Sequence, residues 1–129
     1  MPEPVSQALI DQRKIDYLFN RDIKPDDHNS PRAAQNSQQL HRLGLYDELE
    51  SRQIVTEHLQ GVLLNDRNIT KRFINGFVDS QTGELIEMEI EVRDSLLPGP
   101  SGKFVQIHSS WEVISDRTRR FISAILYGR

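Results

Sequence analysis

The clearest pattern in the chain lies in its last third, where polar and apolar side chains alternate. At positions 105–113 the odd-numbered residues are apolar apart from Ser109, and the even-numbered residues are polar. A period of two is typical of a strand with one face towards a core. Turn-forming residues at 115–118 separate this run from another at 119–127, which predicts an antiparallel hairpin. Its buried, odd-numbered face is expected to carry Ile107, Trp111 and Val113.

The pairing within this hairpin decides which polar side chains meet. With residues 115–118 as the loop, Ser110 lies opposite Ser123, His108 opposite Ile125, and Trp111 opposite Ile122. A shift of one residue would move the side chains to the other face. The polar face is then expected to carry His108, Ser110, Glu112, Arg119, Ser123 and Tyr127, with Phe121 and Ile125 among them.

The first half of the chain has helical periodicity instead. Asp11 is a suitable cap for a short helix that ends near Asn20. Ser30-Pro31 predicts the start of a second helix, which Gly44 ends. A third helix is expected at about 46–65. The buried side predicted for the first helix is Ile15, Leu18 and Phe19. The second helix is expected to continue through Ala33, Ala34, Ser37, Leu40 and Leu43, and the third to have a stripe made of Leu49, Ile54, Val55, Leu59, Val62 and Leu63.

Beyond the third helix the pattern changes to that of strands. A first strand begins near Ile69 and is expected to be interrupted at Asn75-Gly76, and a turn follows at 79–83. The next strand, at 85–93, alternates apolar even-numbered residues with glutamates, and a linker at 96–102 leads into the hairpin. The GPSGK run lacks the spacing of a phosphate-binding loop and is interpreted as a turn.

These elements predict one domain of the α+β class. About three helices at 11–65 precede a four-stranded antiparallel meander at 69–127, and residues 1–10 form a loosely attached lead-in. A chain of 129 residues is long enough for a single core.

Composition narrows the range of functions. The chain lacks cysteine, which excludes disulfides and thiolate chemistry, and it lacks an apolar run near the ~20 residues of a membrane helix, so no membrane partner is expected. No secretory signal is recognisable, which favours a cytoplasmic site of action and leaves open export within a larger polypeptide.

Charge is unevenly distributed along the chain. The net charge of −3 argues against a broadly basic nucleic-acid binder. Six acidic residues face one arginine at 79–94, whereas the hairpin and its flanks carry five basic residues from Lys103 onward against Glu112 and Asp116. The C-terminal hairpin is therefore locally basic, or simply a solvated charged surface.

The histidines lack the spacing of metal ligands, so neither a metal ion nor another cofactor is expected. His28 lies in a predicted loop, and His41 and His58 lie on helices near the core. His108 differs, because a strand histidine between Gln106 and Ser110 can contact a phosphate or a 2′-hydroxyl and act as a general acid or base. The alternative is an exposed histidine that only makes local hydrogen bonds.

Several segments give the chain a resemblance to a known group. They are ALIDQRKIDYLFN at 8–20, HRLGL at 41–45, LLPGPSGKFVQIHSSWEV at 96–113 and RRFISAIL at 119–126. The chain resembles small C-terminal toxin-like domains of bacterial polymorphic toxins, which are similar to the barnase, EndoU and RelE (BECR) class of ribonucleases. The resemblance implies helices followed by a sheet, RNA as substrate and a cognate immunity protein as partner. It assigns no catalytic residue, and residues 31–34 depart from the group by lacking a lysine in the second helix.

Metal-independent RNA cleavage by transphosphorylation yields a 2′,3′-cyclic phosphate. It needs a base for the 2′-hydroxyl, an acid for the leaving 5′-oxygen, and donors for the charge on phosphate. The hypothesis is a toxin-type endoribonuclease, with tRNA as one candidate substrate. The alternative is a non-enzymatic immunity or adaptor module, which the negative net charge and the lack of an unambiguous acid–base pair favour. The predicted catalytic residues are His108 as base or acid, Arg119 for phosphate, Ser110 and Ser123 as donors, and Tyr127, Glu112 or His28 as partner.

Overall fold

The helices pack against one face of a mixed, mostly antiparallel sheet in the computed structural model, which describes residues 5, 7–20 and 29–128. Within this part of the chain, the sheet has five strands in the order β1-β5-β4-β3-β2. In chain order the elements are β1 (Gln7–Leu9), α1 (Gln12–Leu18), α2 (Asn29–Leu43), α3 (Leu49–Val62), a 3-10 turn (Asp66–Asn68), β2 (Ile69–Val78), β3 (Leu85–Pro98), β4 (Phe104–Ser115) and β5 (Thr118–Gly128).

The α+β architecture is confirmed, and the strand number is corrected. Strands β2 to β5 form the predicted antiparallel meander. The fifth strand, β1, comes from the predicted lead-in and pairs parallel with β5, with Ala8 opposite Arg119. This pairing gives partners to backbone groups at the edge of β5 that would otherwise stay free.

Two strands differ in length from the prediction. Strand β2 continues through Asn75 and Gly76, which pair with Met88 and Glu87, so the predicted interruption is wrong. Strand β3 continues beyond Arg93 to Pro98, because the chain stays paired with β4 throughout this stretch. Asp94 therefore lies within a strand, opposite His108.

The core lies between the helices and the odd-numbered face of β4, as predicted. Trp111 and Ile107 are buried there, whereas Val113 is only partly buried. The Trp111 indole N–H donates to Ser109 Oγ at 3.0 Å, and its ring lies 5.2 Å from that of Phe121. The predicted helix positions are buried or half-buried, except Leu49, which is exposed because α3 begins there rather than at residue 46.

The loop between β3 and β4 is a turn that binds the end of α2. Gly44, with φ of +89°, ends this helix as predicted. The N–H of Ser101 donates to the carbonyl of Leu43 at 2.9 Å, and Ser101 Oγ donates to the carbonyl of Arg42 at 2.9 Å. The loop thus satisfies carbonyls that the helix end leaves free. A Cβ at Gly99 would overlap Leu43, so this approach requires glycine.

Helix α2 also covers the second half of the β5 edge. The buried Asn36 amide donates to the carbonyl of Ala124 at 3.1 Å and accepts from the N–H of Leu126 at 3.1 Å. Gln35 donates to the carbonyl of Leu126 at 3.0 Å. These side chains act as a substitute for a further strand and hold the helix at a fixed position on the sheet.

Candidate active site on the open sheet face

The sheet face opposite the helices, which we call the open face, carries a cluster of polar side chains. Because paired residues project to the same side of a sheet, the register places Asp94, His108 and Ile125 in one row across β3, β4 and β5. The adjacent rows contain Gln106 with Tyr127, and Ser110 with Ser123.

His108 and Asp94 form the centre of this cluster. His108 Nε2 lies 3.2 Å from Asp94 Oδ1, and the two side chains are 41% and 36% exposed. The Gln106 amide nitrogen lies 3.0 and 2.9 Å from the two Asp94 oxygens and 3.1 Å from His108 Nε2. A carboxylate only accepts hydrogen bonds, so the contact between Asp94 and Nε2 forms in the His108 tautomer that carries a proton on Nε2. In that tautomer the Gln106 amide donates to Asp94 and not to the imidazole. Among the described residues, none is hydrogen-bonded to Nδ1, which leaves that nitrogen for a substrate.

Tyr127 and the serines complete the cluster. The Tyr127 ring lies edge-on to the imidazole, with 5.1 Å between ring centroids. Ser110 and Ser123 lie directly opposite each other in the next row. The arrangement combines a histidine–carboxylate pair, a phenol and two hydroxyls on an accessible surface, which are the groups needed for proton transfer next to a bound anion.

The predicted hairpin pairing is correct up to Ser110 and wrong from Trp111 to Val113, after which a second shift restores it at Ser115 and Thr118. The register shifts by one residue between Ser110 and Trp111, so that Trp111 pairs with Phe121 rather than Ile122. Phe121 then enters the core, and the two arginines exchange the faces that the prediction gave them. Arg119 turns towards the helices, and Arg120 lies on the open face.

Arg119 is consequently part of a buried charge cluster, and it does not share a face with His108. Its guanidinium donates to Glu91 at 3.3 and 3.4 Å, and Arg93 donates to the same carboxylate at 2.6 Å. The Arg72 guanidinium lies 3.1 Å from Glu91 Oε2. Burial raises the pKa of Glu91, but the hydrogen bonds from Arg119 and Arg93 outweigh it, and the pKa is lowered. Glu91 is therefore an ionised, buried residue, whereas the sequence placed it on a half-solvated strand.

The other candidate residues lie apart from the cluster or outside the described residues. Glu112 is on the open face as predicted, where it forms an ion pair with Arg120 at 2.6 Å. His28 lies outside the described residues. His58 is half-buried, as predicted for a core-edge position, and its Nε2 lies 3.0 Å from Ser95 Oγ. His41 is exposed and stacks on Tyr46, although a core-edge position was expected.

Asp94 is the functional candidate that sequence reasoning missed. The predicted strand ended at Arg93, which left Asp94 in an unassigned position. The signal that identifies it is the even-numbered alternation of β3, which continues from Ile90 and Val92 to Asp94. Gln106 was recognised only as a neighbour of His108, and its contact with Asp94 depends on the strand pairing.

Neither a metal-binding cluster nor a membrane-spanning helix is found among the described residues. Within 5, 7–20 and 29–128, there is no group of three or more histidine, cysteine or acidic residues that could hold a metal ion. In the same part of the chain, every helix is too short or too polar to span a bilayer.

Comparison with solved structures shows a likeness that extends over almost the whole chain. The chain is similar to a chain of the contact-dependent growth inhibition toxin–immunity protein complex from Klebsiella pneumoniae 342, with 29% sequence identity and a TM-score of 0.72. The likeness covers 92% of this chain and 99% of that chain. Comparison with family models and with curated proteins finds no match.

Proposed function

We propose that this chain is a toxin domain that cleaves RNA without a metal ion and is neutralised by a cognate immunity protein. The likeness to a chain of a contact-dependent growth inhibition toxin–immunity protein complex supports a toxin or an immunity role. The observation that favours the toxin role is the accessible pair formed by His108 and Asp94, because an inhibitor that acts by binding has no need of a proton-transfer group.

The proposed reaction begins at His108 Nδ1. This nitrogen takes the proton of a 2′-hydroxyl, and the 2′-oxygen attacks the neighbouring phosphorus. The bond between phosphorus and the 5′-oxygen breaks, and the leaving oxygen takes a proton from an acid, for which Tyr127 is the candidate. The products are a 2′,3′-cyclic phosphate and a 5′-hydroxyl.

Asp94 and Gln106 act on His108 rather than on the substrate. A carboxylate at 3.2 Å stabilises the imidazolium that forms when His108 takes the proton. Gln106 donates to Asp94 and holds that carboxylate in place. Both are therefore positioning residues.

The phosphate would be bound by the serines and a cation on the open face. Ser110 and Ser123 supply hydroxyl donors one row from His108. Arg120 takes the role that the sequence gave to Arg119, since Arg120 lies on the open face and its side chain is 42% exposed. The Arg120 guanidinium uses Nε and Nη2 on Glu112, and its remaining N–H donors can contact a phosphate.

RNA as substrate places the site of action in the cytoplasm of a target cell, and the domain would arrive there as part of a larger delivered polypeptide. A tRNA pool is the first substrate to test, because tRNA is the candidate substrate named in the sequence analysis.

The test is cleavage of purified bacterial tRNA and total RNA, with the products' ends analysed for cyclic phosphate. His108→Ala should lower the rate by about 10²–10⁴-fold, as is typical for loss of a general acid or base. Asp94→Asn should also lower it, whereas a chelator should leave it unchanged. His58→Ala is the matched control, because His58 lies on the helix side and its loss should affect stability alone.

Full activity in a folded His108→Ala variant would show that the site lies elsewhere. Intact RNA and normal growth after induction of the wild-type domain in a bacterial cytosol would favour the second candidate, a non-enzymatic interaction module. The exposed apolar side chains of the β2–β3 hairpin, among them Ile74, Val78 and Leu85, are the observation that favours that module.

A further inference from the structure

The open face extends beyond the polar cluster onto the β2–β3 hairpin, where two aromatic rings are exposed. Phe73 and Phe77 are 39% and 47% exposed. They lie opposite Ile90 and Ile86, so they project to the face that carries His108 rather than to the helices. Asn75 lies between them on the same face.

The two rings lie outside the hydrophobic core, on an edge strand of the sheet. Strand β2 is the last strand of the sheet order, and all of its residues except Ile69 are exposed. Two accessible phenyl rings four positions apart on the same face of one strand leave apolar surface in contact with water, which is typical of a binding surface.

The positive charge next to the rings favours binding of an anionic polymer. The Lys71 ammonium lies 4.9 Å from the centre of the Phe73 ring. Strand β2 contains no acidic residue, and Lys71 is its basic residue on the open face, since Arg72 projects to the other face and pairs with Glu91. On the strands of the described open face, the carboxylates are already hydrogen-bonded, Asp94 to Gln106 and Glu112 to Arg120. Glu87 and Glu89 are opposite Gly76 and Ile74, so they project to the other face.

The register gives the separation between the rings and the polar cluster. Lys71 lies opposite Val92, and Val92 lies opposite Ser110, so a basic side chain and a hydroxyl lie in one row. Phe73 is two strands and four residue positions from His108. With a spacing of about 4.8 Å between strands and a rise of about 3.4 Å per residue, this separation is roughly 17 Å. A single-stranded ligand bound at His108 would reach Phe73 within a few nucleotides.

We propose that Phe73 and Phe77, with Lys71, form a stacking platform for unpaired bases of single-stranded RNA, a few nucleotides from the phosphate at His108. This inference depends on the proposed function for RNA as ligand. Aromatic rings bind unpaired bases of any sequence through their faces, and a nearby cation contacts the backbone. The platform would select flexible, single-stranded regions over regular duplexes.

The test measures binding of a fluorescein-labelled, 2′-O-methylated single-stranded oligonucleotide of mixed sequence by anisotropy, because this probe has no free 2′-hydroxyl and cannot be cleaved by the proposed route. Phe73→Ala and Phe77→Ala should each weaken binding by roughly 5- to 100-fold, as expected for loss of one stacked base. Phe73→Trp should retain the affinity, and Phe73→Leu should lose it, because leucine keeps apolar area without a ring. Lys71→Ala should reduce the slope of log affinity against log salt by about one phosphate contact.

Ile74→Ala is the matched control, since Ile74 is 67% exposed on the other face of the same strand and should leave binding unchanged. Unchanged affinity in Phe73→Ala and Phe77→Ala would overturn the platform, even if RNA is cleaved. If the same variants instead lose binding to the immunity protein alone, the surface is a protein interface and the inference is wrong. Because the probe is not cleaved, an inactive but RNA-binding domain would contradict the proposed function and leave the platform supported.

Discussion

His58 shows how a single residue links pH to stability. It lies half-buried on α3 with its Nε2 3.0 Å from Ser95 Oγ. Burial lowers the pKa of His58 from its ordinary value of 6.5. The unfolded chain therefore binds a proton at a higher pH than the folded chain does, and folding stability falls as the pH drops through 6.5. Above pH 6.5 His58 is neutral in both the folded and the unfolded chain, so the full folding stability is retained there.

We expect His58→Gln to flatten this dependence. The free energy of unfolding, measured by urea titration from pH 8 to pH 5, should fall less steeply in this variant than in the wild type. The exposed His41→Gln is the control and should keep the wild-type slope. Equal slopes in the wild type and His58→Gln would contradict the assignment.

The two adjacent arginines show what strand alternation cannot decide. Both phases of the run at 119–122 contain one arginine and one apolar residue, so the sequence is compatible with either face. The structure selects the phase that brings the Phe121 ring against Trp111 and gives Arg119 the buried Glu91 as partner. A one-residue register shift makes this possible, and no local pattern marks it. The faces of His108, Ser110, Ser123 and Tyr127 were predictable because the pairs that contain them all come before the shift.

At the level of elements, strong apolar periodicity was sufficient to predict helices and strands. Elements that depend on pairing with a distant strand could not be predicted from the local sequence. The long helices and the meander follow from apolar spacing, which is why their existence could be predicted. Strand β1 has three residues, and its parallel partner is more than a hundred positions away, so its formation depends on the β5 edge. The end of β3 was missed because Asp94 and Ser95 are polar, although their pairing with β4 continues. That error removed Asp94 from the predicted site.

Asn36 is the residue through which helix α2 is joined to the β5 edge. Asn36→Ala would leave the buried Ala124 carbonyl and Leu126 N–H without this partner. We expect a loss of about 1–3 kcal/mol in the free energy of unfolding and faster hydrogen exchange at the Leu126 amide. Urea titration and amide exchange measured by NMR would check both.

The neighbouring Gln38 provides the control for this prediction. It is exposed on the same helix, and Gln38→Ala should change stability by less than about 0.5 kcal/mol. A stable Asn36→Ala variant with unchanged protection of Leu126 would show that packing alone fixes the helix on the sheet.

For the whole molecule, the identity of the exposed charges that an anionic ligand meets matters more than the net charge of −3. Both sheet faces carry acids and bases, since Asp94 and Glu112 lie on the open face and the arginines paired with Glu91 lie on the other, so the faces differ only in which charges are exposed. Glu87 and Glu89 are exposed and project away from the open face, whereas Lys71 and Arg120 lie on it. An anionic ligand can therefore bind the open face of an acidic protein, with the carboxylates on the other side screened by salt over about 10 Å. The net charge of −3 therefore does not by itself exclude RNA, the substrate proposed above.

The charge-reversed variant Glu87→Lys/Glu89→Lys tests whether an anionic ligand binds without contacting these two exposed glutamates. Its affinity for the uncleavable oligonucleotide should equal or exceed that of the wild type, because the changed residues lie off the ligand's path and their reversal attracts phosphate at long range. Lys71→Glu is the counterpart on the open face and should weaken binding, with a smaller salt dependence. Anisotropy titrations at two salt concentrations distinguish the variants, and circular dichroism checks that each is folded. If the doubly reversed variant folds but loses oligonucleotide binding, the ligand contacts the acidic face. A loss of immunity-protein binding alone would instead assign that face to a basic protein partner.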